Sequence, residues 1–367
     1  MKVCLISSGI PSNVGGVENV VNELSNYLSQ SNIDVTVMGK SKENFIRKSG
    51  KRTIVGFRMT DYLPRKLHFA HYEDYNSQLK IWRIFPKENF DIVHGGNDNS
   101  LFLLLFAKKR PLILTFHGTL AGGIASRKNA MIPYHYFLNT APEAISARRC
   151  DVVVACSKKV KQEIETFYKV KSNKIKVIYN GVNTQLFRPI DNVLARKNLG
   201  LPTEGRYAIW VGTNPTLKRL DLAIKATRLM KGMRLLVVGV NGKSDENVIY
   251  FGAVTDLSKR ILLYNCANFL IFPTRYEGFP LVPLEAMACG LPIFISKECP
   301  TKEIIREGIH GFIINEKKPE AYAEKIEKLT KNETMYLEAS TSCRKLAEKY
   351  SWENQGREYL NLYKKLI

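Results

Sequence analysis

Short β-branched runs alternate with apolar residues at helical spacing along this chain, and midway the alternation starts again. "KVCLIS" (2–7), "DVTVMG" (34–39), "DIVHG" (91–95), "PLILTFHG" (111–118), "DVVVACS" (151–157) and "KIKVIYNG" (174–181) read as strands, with a helix-spaced "VENVVNELSNYLSQS" (17–31) after the first. Such near-continuous apolar strands suit a parallel sheet covered by helices on both faces. The restart runs through "YAIWVGT" (207–213), a helical "RLDLAIKATRLM" (219–230), "RLLVVGV" (234–240), "VIYFGAV" (248–254), a helical "LSKRILLYNC" and "NFLIFPT" (268–274). Between the two series, residues 186–206 carry two prolines and two glycines and read as the linker. The expected class is therefore α/β, with two doubly wound domains facing a central cleft. Ligands bind such sheets at the carboxyl ends of the strands.

A length of 367 residues fits two such domains. The longest apolar run, "LFLLLFA" (101–107), is too short for a membrane span, and "MKVCLISSGIPSN" reads as a buried first strand rather than a signal peptide. Seven scattered cysteines without a C-x-x-C pair suit buried reduced thiols. His68 and His71, beside Glu73 and Asp74, are of metal-ligating type, but no further matching pair follows them. The net charge of +21 concentrates in residues 40–66, with nine basic residues against two acidic. That tract reads either as a solvated loop or as a surface for anionic lipid, a phosphate-bearing acceptor or nucleic acid.

"RYEGFPLVPLEAMACGLP" (275–292) follows a strand and places Glu277 and Glu285 eight apart. The helix in this stretch stops at Gly290, before Pro292, and Pro283 suits its first turn, where a missing N–H costs nothing. On this reading Glu277 lies on the loop and Glu285 in the first helical turn, near unpaired N–H groups at 279–282. Two carboxylates there could each accept the vicinal hydroxyls of a ribose or hexose, beside N–H groups suited to phosphate. Alternatively, one glutamate caps the helix and the other is solvated.

The stretch resembles the E-x7-E signature of retaining glycosyltransferases of family 4, which have the GT-B architecture. "GGVENVV" (15–21) is similar to the family's glycine-rich turn, "LTFHG" (114–118) to its T-x-H-G strand end, and "VIYNGVNTQLF" (177–187) to its N-G-V-D segment. "VGTNPTLKRLDLAI" (211–224) resembles the diphosphate loop, and "YSWENQGREYLNLY" a terminal helix that crosses back to the first domain. The resemblance implies an acceptor-binding domain over 1–188, a nucleotide-sugar-binding domain over 189–349 and a returning helix over 350–367. It implies that Glu285 binds the ribose, while Glu277 and the backbone at Gly278, Phe279, Pro280 and Leu281 meet the donor sugar. Lys218 and Arg219 would neutralise the diphosphate, Gly15 and Gly16 would let backbone approach phosphate, and His117 would lie near the donor sugar and acceptor. The catalytic set so implied is His117, Lys218 and Glu277. Three positions depart from the family pattern. Thr213 replaces a frequent Arg of the phosphate loop, Pro280 replaces a Gly and removes a donor, and Asn183 replaces an Asp.

The expected activity is transfer of a hexose-type sugar from a nucleotide-sugar, with uridine favoured, to an acceptor hydroxyl on a lipid-linked or surface glycan. The donor is a substrate, so no cofactor is expected, and the absence of any D-x-D triplet fits a metal-independent site. The basic tract 40–66 and the aromatic "MIPYHYF" (131–137) point to a cytoplasmic protein peripheral on an anionic membrane, with no nucleic-acid partner. A nucleotide-sugar epimerase of the same architecture is the alternative, and would turn over donor without acceptor. A basic nucleic-acid-binding protein would explain the charge but not the glutamate pair. A nicotinamide dehydrogenase lacks its G-x-G-x-x-G after any expected strand.

Overall fold

The computed structural model describes residues 1–10, 15–58, 89–97, 110–126, 133–315 and 317–367. Backbone contacts divide them into one unit comprising Met1–Asn180 with Trp352–Ile367, and a second comprising Gly181–Ser351.

In the first unit, β1 (Lys2–Gly9) leads through α1 (Gly16–Gln30) to β2 (Asp34–Ser41), then to β3 (Phe45–Ser49) and β4 (Arg52–Arg58). There follow β5 (Ile92–Gly96), β6 (Leu112–Phe116), α2 (Leu120–Ala125), α3 (Pro133–Arg149), β7 (Val152–Ala155), α4 (Lys158–Tyr168) and β8 (Ile175–Val177). The sheet order is β3-β4-β2-β1-β5-β6-β7-β8, parallel except for the β3–β4 hairpin. The strands β5 and β6 are buried along their whole length, as a sheet covered on both faces requires.

In the second unit, α5 (Asn192–Asn198), β9 (Arg206–Val211), α6 (Leu220–Arg228), β10 (Met233–Val238), β11 (Val248–Gly252), α7 (Leu257–Cys266) and β12 (Phe269–Phe272) come first. They are followed by α8 (Leu281–Ala288), β13 (Ile293–Ser296), β14 (Gly311–Ile314), α9 (Pro319–Thr330) and α10 (Glu333–Lys349). All pairings in its sheet, β11-β10-β9-β12-β13-β14, are parallel. Trp210, Phe269, Phe294, Phe312 and Tyr322 anchor its core. The last helix, α11 (Trp352–Lys364), returns to the first unit and lies on α1. Gly356 allows that approach, because a Cβ there would come within 2.4 Å of the Tyr27 ring.

Two sequence expectations change. The stretch 186–206 is not a free linker: Asp191 caps α5 by accepting from Leu194 N at 2.7 Å, and the buried Arg196 donates to the carbonyls of Thr203, Gly205 and Cys266. These bonds bind the segment into the second unit. The basic tract is not a plain loop either, since residues 45–58 form the β3–β4 hairpin, with Phe45 seated on Gly56. Residues 59–66 and 101–107, His68, His71, Glu73 and Asp74, and the side chains of "MIPYHYF", lie outside the described residues.

Strand order locates the sites. In each sheet the chain first builds to one side of the starting strand and then crosses to the other, leaving a crevice at the carboxyl ends where the order reverses. That point lies between β1 and β5 in the first unit and between β9 and β12 in the second. All seven cysteines are buried and none is joined in a disulfide, and burial raises the thiols of Cys150 and Cys266 to about 12.

Candidate functional site

In the second unit, the loops after β9 and β12 meet at the switch point. Lys218 Nζ lies 2.9 Å from Glu277 Oε1, with both side chains largely sheltered. The ammonium also sits 4.9 Å from the centre of the Phe272 ring, so a carboxylate and a π-face together hold one cation. The main chain fixes that position. Trp210 Nε1 donates to Lys218 O at 3.0 Å, Asn214 Oδ1 accepts from Leu217 N at 2.9 Å, and Arg275 N donates to Leu217 O at 2.9 Å. The Lys218 stem runs over Gly212, where a Cβ would stand 2.4 Å from Lys218 Cδ. Glycine is needed there for reach, not for an unusual φ.

Arg219 follows in left-handed backbone, φ 48 and ψ 54, a conformation that costs a non-glycine residue energy and marks a held site. Its Nη2 donates to Lys317 O at 3.3 Å. Thr213 is exposed on the same loop. Many N–H groups here serve the loop itself: Lys218 N reaches Asn214 O and Leu220 N reaches Pro215 O. Charge toward an anion therefore comes mainly from the Lys218 and Arg219 side chains.

Gly278, Phe279 and Pro280 are buried, and α8 starts at Leu281 with Pro280 as its N-cap. Pro283 is thus third in the helix, where no intrahelical acceptor exists for an N–H, while Leu281 and Val282 present theirs. Glu285 is the fifth residue, just past the first turn in which the sequence placed it, because the helix begins directly after Pro280. It is 5% exposed. Tyr264 OH donates to its Oε2 at 2.7 Å, and Arg260 Nη2 stands 3.7 Å from Oε1. Burial and the adjacent carboxylate push the Tyr264 phenol well above its ordinary value, so it remains a donor.

Gly15, Gly16 and His117 belong to the first unit. Gly15 is the N-cap of α1, and a Cβ on it would fall 1.9 Å from Glu18 Oε2. A Cβ on Gly16 would meet nothing within 4 Å, so protein packing does not require glycine there. His117 directly follows β6, and burial lowers its imidazole to about 4, which keeps it neutral near pH 7. Its turn is held by a buried polar network. Asn97 Oδ1 accepts from His117 N at 3.4 Å, while Asn97 Nδ2 donates to Gly118 O at 3.2 Å and to Glu143 Oε1 at 2.5 Å. Glu143 Oε2 accepts from Leu120 N at 3.0 Å and from Tyr168 OH.

The structure therefore joins Lys218, Arg219, Glu277, Thr213, Leu281 and Glu285 around one switch point and places Gly15, Gly16 and His117 in the other unit. Sequence reading missed Tyr264 and Arg260, one turn apart on α7, and Asn97, Glu143 and Tyr168 behind His117. The helical spacing of Arg260 and Tyr264 was a signal that they share a face. Nothing local links Asn97 to Glu143.

Residues 14–186 match the family model described as Glycosyltransferase Family 4, and residues 192–350 the one described as Glycosyl transferases group 1. The capsular polysaccharide biosynthesis glycosyltransferase CapM of Staphylococcus aureus is 26% identical over 381 residues, covering 98% of this chain and 94% of that protein. A D-inositol 3-phosphate glycosyltransferase of Thermobispora bispora is 24% identical over 316 residues, 78% and 73% of the two chains. Among solved structures, a sucrose-phosphate synthase from Thermosynechococcus elongatus superposes with a TM-score of 0.87 at 18% identity, covering 100% of this chain and 99% of that one. Anabaena HepE in complex with UDP-glucose gives 0.77 at 16% identity, covering 100% of both.

Proposed function

The chain belongs to glycosyltransferase family 4 and has the two Rossmann-like units of the GT-B fold, and we propose that it moves a hexose-type sugar from a UDP-sugar to an acceptor hydroxyl with retention of configuration. The observation that carries this reading is the Lys218–Glu277 pair at the β9/β12 switch point, beside the unpaired N–H groups of α8. The uridine assignment is supported by the fold shared with HepE, whose structure contains UDP-glucose. Transfer to a surface glycan is supported by the similarity to CapM.

In this reading Glu285 accepts from the ribose hydroxyls, and Tyr264 and Arg260 hold its carboxylate in place. Glu277 and the backbone from Gly278 to Leu281 face the sugar. The bond between the anomeric carbon and the phosphate oxygen breaks as the acceptor oxygen bonds to the same face of that carbon. The acceptor proton passes to the departing phosphate, so no separate base is needed. Negative charge grows on the diphosphate, and Lys218 and Arg219 stabilise it from fixed positions. With those two cations supplied by the protein and no D-x-D triplet in the chain, the reaction is proposed to need no metal. His117, neutral, offers a hydrogen bond rather than a charge.

The acceptor is proposed to be lipid-linked and met at the cytoplasmic face of an anionic membrane. The β3–β4 hairpin supports this, since Ile46 is 74% exposed among exposed Lys42, Arg47, Lys48 and Arg58. Cations around a protruding apolar side chain suit anionic head groups.

Thermal shifts with UDP, GDP, ADP and a short oligonucleotide test the donor assignment. UDP at a hundredfold its dissociation constant should add about 2.7 kcal/mol. A shift with UDP that Glu285→Gln reduces supports the reading. A shift with the oligonucleotide alone refutes it. Turnover of the UDP-sugar to an epimer without acceptor would move the assignment to an epimerase. Equal binding to neutral and anionic vesicles at low salt would remove the membrane proposal.

A further inference from the structure

At the β1/β5 switch point of the first unit lies a cavity of about 20 Å³ lined by Ser7, Val17, His94, Thr115, His117 and Tyr359 among others. Its polar groups are unequally satisfied. His94 uses both ring nitrogens, Nδ1 with Tyr363 OH and Nε2 with Thr115 Oγ1, each at 2.6 Å. Tyr359 hydrogen-bonds with the same threonine. Ser7 is 3% exposed, yet its Oγ meets no hydrogen-bond partner among the described residues. The His117 ring makes no hydrogen bond there either, as its contact with Asn97 is through the backbone N–H. Buried hydroxyls are otherwise almost always satisfied, by protein or by ordered water.

The size of the cavity decides what can answer Ser7. A water needs roughly 10–15 Å³ and two to four polar partners, so a space of about 20 Å³ beside Ser7 and His117 suits one water. We propose that this cavity holds one ordered water bridging Ser7 Oγ and one imidazole nitrogen of His117, and that Ser7 is thereby the positioning residue that selects the His117 tautomer. A neutral imidazole has one donor and one acceptor nitrogen, and the partner of one nitrogen sets the role of the other. Asn97 and Glu143 hold the His117 backbone but leave the ring's proton unassigned. Ser7 and its water assign it, and the second nitrogen then faces substrate with a defined role. That last consequence rests on the glycosyltransferase reading, whereas the water and the tautomer do not.

The test uses the intact protein without substrate. Histidine labelled with ¹⁵N reports the tautomer of His117 in wild type, Ser7→Ala and Ser7→Thr, with His117→Gln assigning the resonance and the His94 signals monitoring the fold. Wild type and Ser7→Thr should show one tautomer, and Ser7→Ala a mixture of two. An unchanged tautomer in Ser7→Ala, or a mixture already in wild type, overturns the proposal. A high-resolution crystal structure of the wild type gives a second readout independent of any variant's folding. It should show a water within about 3.2 Å of both Ser7 Oγ and a His117 nitrogen. A dry cavity, or a water touching only one of them, also overturns it. Failure to bind any nucleotide would sink the proposed function while leaving these readouts intact.

Discussion

Acidification from pH 7 to pH 5 should weaken the first unit through His94. This ring joins β5 to the terminal helix, hydrogen-bonded to Tyr363 and Thr115, with the Tyr359 and Tyr363 rings 5.6 and 5.8 Å from it. Burial, reinforced by His117, lowers its imidazole from 6.5 to about 3. The unfolded chain then takes up a proton near pH 6.5, whereas the folded one does so only near pH 3. Between those values the unfolded state binds more protons, so stability falls as the pH falls. From pH 7 to pH 5 this linkage amounts to about 2 kcal/mol, or roughly a 25-fold rise in the opening equilibrium. His117, lowered to about 4, adds a loss of the same sign. His94→Gln isolates the His94 share. The variant should be less stable at pH 7, but its stability should fall about 2 kcal/mol less than that of wild type by pH 5. Native-state hydrogen exchange of β5 and β6 amides, corrected for intrinsic rates, measures both. Parallel pH dependences in wild type and variant would refute the reasoning.

Replacing Lys218 by Met keeps the stem over Gly212 and removes the charge, so transfer should slow by about 10²–10³-fold in a steady-state assay with saturating acceptor. Gly212→Ala should displace Lys218 and lower the rate in the same direction, while thermal unfolding shows the fold intact. Tyr264→Phe removes a donor from the buried Glu285 carboxylate, and calorimetry should find nucleotide binding weaker by about tenfold.

Local periodicity made most strands and several helices legible, because burial on two faces or on one stripe imprints itself on consecutive residues. It failed at a sheet edge and among turn residues, and the short buried strands β13 and β14 also went unread. The β3–β4 hairpin lies at a sheet edge, and its exposed Ile46, Arg47 and Lys48 show no alternation. The helix α5 escaped notice among prolines and glycines, although the Asp191 cap was a signal. The E-x7-E stretch and the Lys218–Arg219 loop were also legible, since each sits on one short segment joining a strand to a helix.

What the sequence by itself determined is most of the strands, several of the helices and the segments that carry chemistry. Which strand starts each sheet, and hence where the crevice opens, was decided only in three dimensions. So were the pairing of Lys218 with Glu277, the burial of Glu285 against Tyr264, and the hold of Asn97 and Glu143 on the His117 turn. The physical reason is range. Periodicity and capping act over a few residues along the chain, whereas a buried carboxylate finds its donors through the packing of distant elements, and no spacing in the sequence encodes that distance.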